Sequence, residues 1–78
     1  MRNGIMFPSM KPLEYIRRKV FGVSQVEMAA IAGVNQGTVS RWEAGTLKPD
    51  LEVLERIRAS AHERGIKWRD SWFFEVAA

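Results

Sequence analysis

The sequence predicts an all-α fold in which four to five helices pack as a compact bundle around one small core. Apolar side chains recur at intervals of three and four residues in several stretches, which is the period of a helix with one buried side. Ser24, Asn35 and Asp50 stand where helix N-caps are expected, and glycines follow where helices should end. With 78 residues and an apolar share of 46%, the chain has room for one folded domain.

The first helix is predicted to begin near Pro12 and to end at Gly22. Proline is favoured in the first turn of a helix because its missing N–H has no helical partner there. Leu13, Ile16 and Val20 follow at intervals of three and four, so they form the expected inward stripe, and Phe21 can join it.

Residues 24–45 predict a helix, a tight turn and a second helix. Ser24 and Glu27 are spaced for a capping box, in which each side chain bonds the other residue's backbone N–H. Gly33 ends this helix because glycine adopts the left-handed conformation without strain. Its inward side holds small or flexible apolar residues. Ile31 falls on the side expected to be exposed, where it can instead touch the fourth helix or a partner. The inward residues are Met28, Ala29 and Ala32.

The second helix of this pair has an apolar inner side and a polar outer side. Asn35 can cap it, and Gly45 closes it. We expect Trp42 in the core, because its spacing from Val39 points both side chains inward. The outer side presents side-chain types that hydrogen-bond to base edges and phosphates. These are Gln36, Thr38, Ser40 and Arg41.

A fourth helix is predicted from about Asp50 to Arg64, with Gly65 as its stop. Glu52 and Arg56 are spaced for an i,i+4 ion pair on its surface. Its apolar stripe consists of Leu51, Leu54, Ile57 and Ala61.

The tail after this helix carries four aromatic side chains within seven residues, which are Trp68, Trp72, Phe73 and Phe74. So much apolar surface is rarely left in water. The segment can form a short fifth helix, started near Asp70 or Ser71 and folded onto the first and fourth helices. It can instead form a dimer contact, or residues 73–76 can pair as an edge strand across a two-fold axis. A mixture of inner packing and partner contact is a further alternative.

Composition excludes several classes of function. The chain has no cysteine, which excludes disulfides and thiolate metal sites, and His62 is its one histidine. It lacks a glycine-rich phosphate loop and paired carboxylates, so we expect no enzymatic activity, metal, cofactor or small-molecule ligand. No apolar run approaches the roughly 20 residues that span a bilayer. The first ten residues do not resemble a signal peptide, and we expect a cytoplasmic protein.

Positive charge is concentrated in the first part of the chain. The net charge is +3, and residues 1–48 hold seven Lys or Arg against three Glu. Residues 49–78 hold five Lys or Arg against six acidic residues. This distribution favours an anionic partner for the helix pair, and an ordinary solvated surface is the alternative.

The helix pair resembles the helix-turn-helix of the Cro/CI-repressor (XRE) family of DNA-binding regulators. No single residue is specific, but together and at the family's spacing they form a strong pattern over about a third of the chain. The matching residues are Ser24-Gln25, Met28-Ala29, Gly33-Val34, Val39-Ser40, Trp42-Glu43, Gly45 and Pro49.

The resemblance implies a lambda-repressor-like fold and a transcriptional regulator, a repressor, that binds double-stranded DNA. Helix 36–44 would lie in the major groove. There Gln36 is suited to adenine, Arg41 to guanine or a phosphate, and Thr38 and Ser40 to either base or backbone. The same resemblance places phosphate contacts at Gln25, Thr46 and Lys48, and we add Asn35 and Arg18 as candidates. Gly37 departs from the family, because many relatives carry a base-reading side chain there, and its bare backbone can approach a thymine methyl or a phosphate closely.

The resemblance also implies an ion pair between an arginine late in the first helix and Glu43. Counting back from Gln25 indicates Arg18, but Arg17 then takes a position that is usually apolar. One extra residue before Gly22 makes Arg17 the pairing residue, and we favour this register because it agrees with the apolar stripe.

Three parts of the chain are expected to differ in role. Residues 1–10 form a loose N-terminal arm, residues 11–65 the DNA-binding domain, and residues 66–78 an aromatic extension that covers the core or contacts a partner. Relatives of this kind bind two-fold symmetric sites as homodimers. The alternative is an antitoxin or adaptor that holds a protein partner through the tail while the helix pair binds its own promoter.

Overall fold

The structure is a computed structural model that describes residues 10–74. All regular structure in this range is helical, which confirms the predicted fold class. The predicted arm lies outside the described residues except for Met10, as do Glu75 and Val76 of the proposed edge strand. The helices are α1 (Pro12–Tyr15), which continues as a π-helix (Ile16–Phe21), α2 (Gln25–Ala32), α3 (Gln36–Ala44), α4 (Leu51–Glu63) and a 3₁₀ helix (Asp70–Phe73).

The helix ends follow from local hydrogen bonding. Ser24 and Glu27 form the predicted capping box, with Glu27 N donating to Ser24 Oγ at 3.1 Å and Ser24 N donating to Glu27 Oε1 at 2.9 Å. Asn35 and Asp50 cap α3 and α4, since each side-chain oxygen accepts from a backbone N–H in the first turn. Gly33 ends α2 in the left-handed conformation, with φ of 75°.

The core lies where α1 to α4 meet. Trp42 is its largest member, only 4% exposed, and is contributed by the inner side of α3. The core contains no buried polar or charged residue among those described, so its stability rests on apolar packing. Its members are Leu13, Ile16, Met28, Ala29, Ala32, Val39, Trp42, Val53 and Ile57.

The first helix accommodates one extra residue as a π-helix. The backbone N–H of Gly22 donates to Arg17 O, the i→i+5 bond of a π turn, which takes one more residue than an α turn. Ile16 is thereby fully buried, and Arg17 is turned toward α3. Leu13 and Ile16 of the predicted stripe are buried, and Phe21, which the stripe could include, packs against the core, whereas Val20 is only half-buried.

The prediction that Leu51 is buried is wrong. Leu51 is 70% exposed, and Val53, which is 7% exposed, takes the inward position at the start of α4. At roughly 100° per residue, Leu51 lies about 120° around the helix from Ile57, whereas Val53 lies about 40° away. Of the alternatives for Ile31, the structure shows a contact within the domain, because this side chain is half-buried and packs against the core.

The aromatic tail folds back onto the first helix. The ring of Trp72 lies 6.3 Å from that of Tyr15, and the ring of Trp68 lies 6.5 Å from that of Phe21. Trp68, Trp72 and Phe73 are half-buried against the core, whereas Phe74 is 78% exposed. No helix among residues 10–74 combines the length and apolarity needed to cross a bilayer.

The 3₁₀ helix is also tied to α4 by an ion pair. Arg58 Nη1 donates to both carboxylate oxygens of Asp70, at 3.0 and 3.2 Å. Asp70 in addition accepts from Trp68 Nε1 at 2.8 Å, so one carboxylate fixes both the tail and its first tryptophan.

Candidate nucleic-acid interface

The outer side of α3 is a polar surface presented to solvent. Val39 and Trp42 anchor the inner side of this helix in the core, so the opposite side must face outward. Thr38 stands at the edge of this surface and is half-buried. The exposed residues are Gln36, Gly37, Ser40, Arg41 and Ala44.

A chain of hydrogen bonds connects the first residue of α3 with the last turn of the same helix. Gln36 Nε2 donates to Gln25 Oε1 at 2.6 Å, and Gln25 Nε2 donates to Glu43 Oε1 at 3.0 Å. Gln25 is the first residue of α2, so the chain bridges both helices of the pair. This arrangement restrains the Gln36 side chain before any ligand binds.

Glu43 is also held by Arg17. Arg17 Nε donates to Glu43 Oε2, and Arg17 Nη2 donates to Glu43 Oε1 at 3.0 Å. A third donor of this guanidinium, Nη1, bonds the carbonyl of Val23 at 3.0 Å. The two charged side chains are only 14% and 9% exposed, so the pair is largely withdrawn from water.

The charge state of Glu43 follows from these contacts. Burial raises the pKa of the Glu43 carboxyl, but the hydrogen bonds from Arg17 and Gln25 and the nearby positive charges outweigh it. The resulting pKa lies below the ordinary value, so Glu43 is ionised at neutral pH. The hydrogen bond to Glu43 in turn raises the pKa of Arg17, which keeps the guanidinium charged.

Thr38 and Asn35 bond each other at the N-terminus of α3. Asn35 Oδ1 accepts from the Thr38 backbone at 2.8 Å and from the Thr38 hydroxyl at 3.0 Å. The hydroxyl proton of Thr38 is therefore used within the protein, and the oxygen remains as an acceptor. The Asn35 amide nitrogen keeps its donors for an external group.

The loop after α3 supplies exposed polar groups next to the helix end. The Thr46 hydroxyl donates to the carbonyl of Arg41 at 3.3 Å, and the backbone N–H of Thr46 donates to the same carbonyl at 3.0 Å. Lys48 is exposed in the same loop. Lys11 was not predicted to belong here, yet its Cε lies 3.1 Å from where a Cβ on Gly45 would stand.

Arg18, predicted as a phosphate contact, lies on the surface of the π-helix. Its Nη1 donates to Glu14 Oε2 at 3.0 Å, and 53% of its side chain is exposed. An ion pair at this level of exposure contributes little to stability, so the guanidinium can exchange its partner at low cost. The described residues contain no group of His, Asp or Glu side chains arranged to hold a metal ion.

Hydrogen bonds in the structure join Gln25 with Gln36 and Glu43, and Asn35 with Thr38. Arg18 bonds Glu14 instead, and Lys48 is exposed in its loop. The structure also adds two features that were not predicted. The link from Gln25 to Glu43 joins residues 18 positions apart and depends on how α2 packs on α3, which no local pattern reveals. The position of Lys11 beside Gly45 has no signal in the sequence either. Trp68, Trp72 and Phe73 are not part of this surface, because they pack on the other elements of the core.

Comparison with known proteins gives one result that bears on this surface. A family model described as helix-turn-helix matches residues 15–59, which is more than half of the chain and includes α2, α3 and most of α4. Searches among curated proteins and among solved structures gave no significant match.

Proposed function

Because the chain belongs to the Cro/CI-type (XRE) helix-turn-helix family of DNA-binding regulators, we propose that it represses transcription by reading a specific duplex site with α3. The observation that carries this proposal is the exposed polar side of α3, whose first residue, Gln36, is braced by Gln25. A surface helix of this kind fits the major groove, where its N-terminal half faces the bases.

The proposed base contacts come from the exposed side of α3. Gln36 keeps a donor and an acceptor after bonding Gln25, which is the pair that adenine requires in the major groove. Arg41 offers a planar fork that matches guanine or a phosphate. Ser40 can donate or accept, and Thr38 serves as an acceptor because its proton is bound by Asn35.

The proposed phosphate contacts surround this helix. Gln25 lies at the N-terminus of α2, where free backbone N–H groups and the helix dipole attract an anion. Gly37 lets the backbone of α3 approach the duplex closely, since it has no side chain. The remaining contacts are offered by exposed donors, namely Asn35, Lys48, Arg18 and, in addition, Lys11. Thr46 is also a proposed contact, and it can donate to a phosphate only by giving up the hydrogen bond from its hydroxyl to the carbonyl of Arg41.

We propose a homodimer as the binding form. A single module of this size makes too few contacts for tight specific binding, and a two-fold dimer doubles them. The exposed side chains of Phe74 and Leu51 line one groove together with Leu54 and Phe73, which is an apolar surface suited to a second copy. Occupancy of a promoter by such a dimer excludes polymerase, and repression is therefore the proposed outcome.

Selection from a random pool of duplexes at 0.15 M salt tests the function. We expect the recovered sequences to share a motif with two inverted halves about one helical turn apart. Recovery of a pool without any shared motif would contradict sequence-specific reading. A motif without inverted halves would contradict the dimer and leave the reading by α3 in place.

The alternative, an adaptor that holds a protein partner, rests on the same apolar groove. Sedimentation of the purified wild-type chain and of the Phe74→Ser variant distinguishes the homodimer from the adaptor. A homodimer predicts a concentration-dependent dimer that Phe74→Ser weakens, with Ser71→Ala, another exposed change in the tail, as the control. A chain that stays monomeric and binds its motif only with a co-expressed protein supports the adaptor instead.

A further inference from the structure

We propose that Glu43, acting through Gln25, fixes the orientation of the Gln36 amide and so makes this residue select adenine over guanine. The inference rests on the proposed function, because it requires Gln36 to face a base pair. Glu43 is a positioning residue in this account, since it lies on the inner side of the hydrogen-bonded chain and touches no base.

The carboxylate of Glu43 determines which groups can bond to it. An ionised carboxylate only accepts hydrogen bonds, and Glu43 already receives two from Arg17. Any neutral side chain that bonds to it must therefore present a donor. Because the pair with Arg17 is largely buried, the carboxylate is also held in one position.

Gln25 must therefore present a donor to Glu43. Its amide can meet Glu43 only with the nitrogen, and Nε2 indeed donates to Glu43 Oε1 at 3.0 Å. The oxygen at the opposite corner of the same amide must then face Gln36. The second N–H of Gln25 remains available, and a phosphate would bind it without changing this orientation.

The oxygen of Gln25 fixes the orientation of the Gln36 amide. Since Gln25 offers an oxygen, Gln36 must meet it with nitrogen, and Nε2 donates to that oxygen at 2.6 Å. One N–H and the carbonyl oxygen of Gln36 are left for an external group. Adenine presents an acceptor, N7, beside a donor, N6–H, and fits this pair. Guanine presents two acceptors, N7 and O6, and would leave the Gln36 oxygen facing another acceptor.

A reversed amide would have the opposite preference. If Gln25 were replaced by a residue that only donates, Gln36 would turn its oxygen toward it and present both N–H groups outward. Two donors match the two acceptors of guanine. Lysine is such a residue, because its ammonium group can donate to Glu43 and to the Gln36 oxygen at once.

The test compares Gln25→Lys with Gln25→Met, which removes the link without adding a donor. The position read by Gln36 is first located as the base pair at which Gln36→Ala removes the preference. The affinity of each protein is then measured on four duplexes, each with a different base pair at that position. The wild type should prefer A·T over G·C by about tenfold or more. Gln25→Lys should prefer G·C, and Gln25→Met should show little preference, with thermal melts confirming that each variant is folded.

The extra positive charge of lysine strengthens binding to all four duplexes alike. The ratio of the affinities of one variant for two duplexes therefore reports its base preference alone. Retention of the wild-type A·T preference in Gln25→Lys would overturn the proposed role of Glu43 and Gln25, even where Gln36→Ala abolishes the preference. An unchanged base preference in Gln36→Ala would overturn the base-reading role of Gln36 itself, and with it this inference.

Discussion

Arg17 and Glu43 lie 26 residues apart in the chain and form a two-point ion pair that joins the first helix to the end of α3. The pair fixes the angle of α3, because Glu43 stands one residue before the end of that helix. It also lies next to Gln25, so one carboxylate contributes to the stability of the bundle and to the outer polar surface.

Removal of one partner of this pair should destabilise the fold strongly. We expect Arg17→Met to lower the free energy of unfolding by about 3–5 kcal/mol, because a buried carboxylate is left without its counter-charge. The double variant Arg17→Met/Glu43→Leu should recover much of this loss, since no charge remains buried. Urea denaturation measures the free energy of unfolding of both variants. A double variant that is no more stable than Arg17→Met would show that the pair is not desolvated.

The lowered pKa of Glu43 predicts a specific dependence of stability on pH. The stabilisation from its ionised form is complete above the ordinary pKa of 4.5 and is lost as pH falls through the lower pKa of the folded state. Unfolding free energies measured below pH 4.5 should therefore fall steeply for the wild type and less steeply for Arg17→Met/Glu43→Leu.

Glu27 is the necessary control for this pH dependence. Hydrogen bonds from the Ser24 backbone and hydroxyl lower the pKa of Glu27, so it titrates in the same acidic range. Glu27→Gln keeps a side chain that can accept the capping bond. If Glu27→Gln removes as much of the pH dependence as the double variant does, the assignment to Glu43 is wrong.

Trp42 and Leu51 provide a matched test of which side of each helix is buried. Trp42→Ala should cost roughly 3–5 kcal/mol, since it empties the centre of the core. At protein concentrations low enough to keep the chain monomeric, Leu51→Ala should change stability by no more than about 0.5 kcal/mol, because this side chain is exposed in the single chain. Thermal and urea unfolding of both variants measure the difference. Similar losses for the two would contradict the observed orientation of α4.

Deletion of Lys19 should be tolerated because it removes the extra residue of the π-helix. Lys19 is exposed, and a chain shorter by one residue can form an ordinary α turn with Arg17 and Ile16 still facing inward. We expect a melting temperature at or above that of the wild type. Deletion of Glu55, also exposed but within the regular α4, should unfold the domain because it rotates Val53 away from Ile57. Equal damage from both deletions would refute this explanation of the π-helix.

The proposed base and phosphate contacts predict different kinds of loss. Gln36→Ala and Arg41→Ala should each reduce discrimination at one base pair by roughly 1–3 kcal/mol. Lys48→Ala should weaken binding to all duplexes alike and reduce the slope of log K against log salt by about one. Titrations on matched and mutated duplexes at several salt concentrations separate these effects. Uniform loss on every duplex for all three variants would contradict the assigned base contacts.

The helical conformation and the N-terminal ends of the helices were predictable because they depend on neighbouring residues. Ser24, Asn35 and Asp50 cap their helices through bonds that span three residues, and such bonds need no knowledge of the rest of the fold. The role of Arg17 was predictable for a different reason, because the family resemblance implies an ion pair with Glu43 and the apolar stripe of the first helix favours Arg17 over Arg18.

Burial at the ends of elements and contacts between helices could not be predicted in this way. Leu51 and Val53 both fit a helical period, and only the position of the neighbouring helices decides which of them is covered. The contacts of Trp72 with Tyr15 and of Lys11 with Gly45 depend on the path of the chain between distant elements. Periodicity within one helix contains no information on that path.

The affinity of the wild type for its selected duplex, compared with a shuffled duplex of the same composition at 0.15 M salt, tests the central claim most directly. A domain that reads bases with α3 should bind the selected duplex at least about 10³-fold more tightly. Equal affinity for the two duplexes would show that the polar surface of α3 contacts only the phosphate backbone, and would contradict the account.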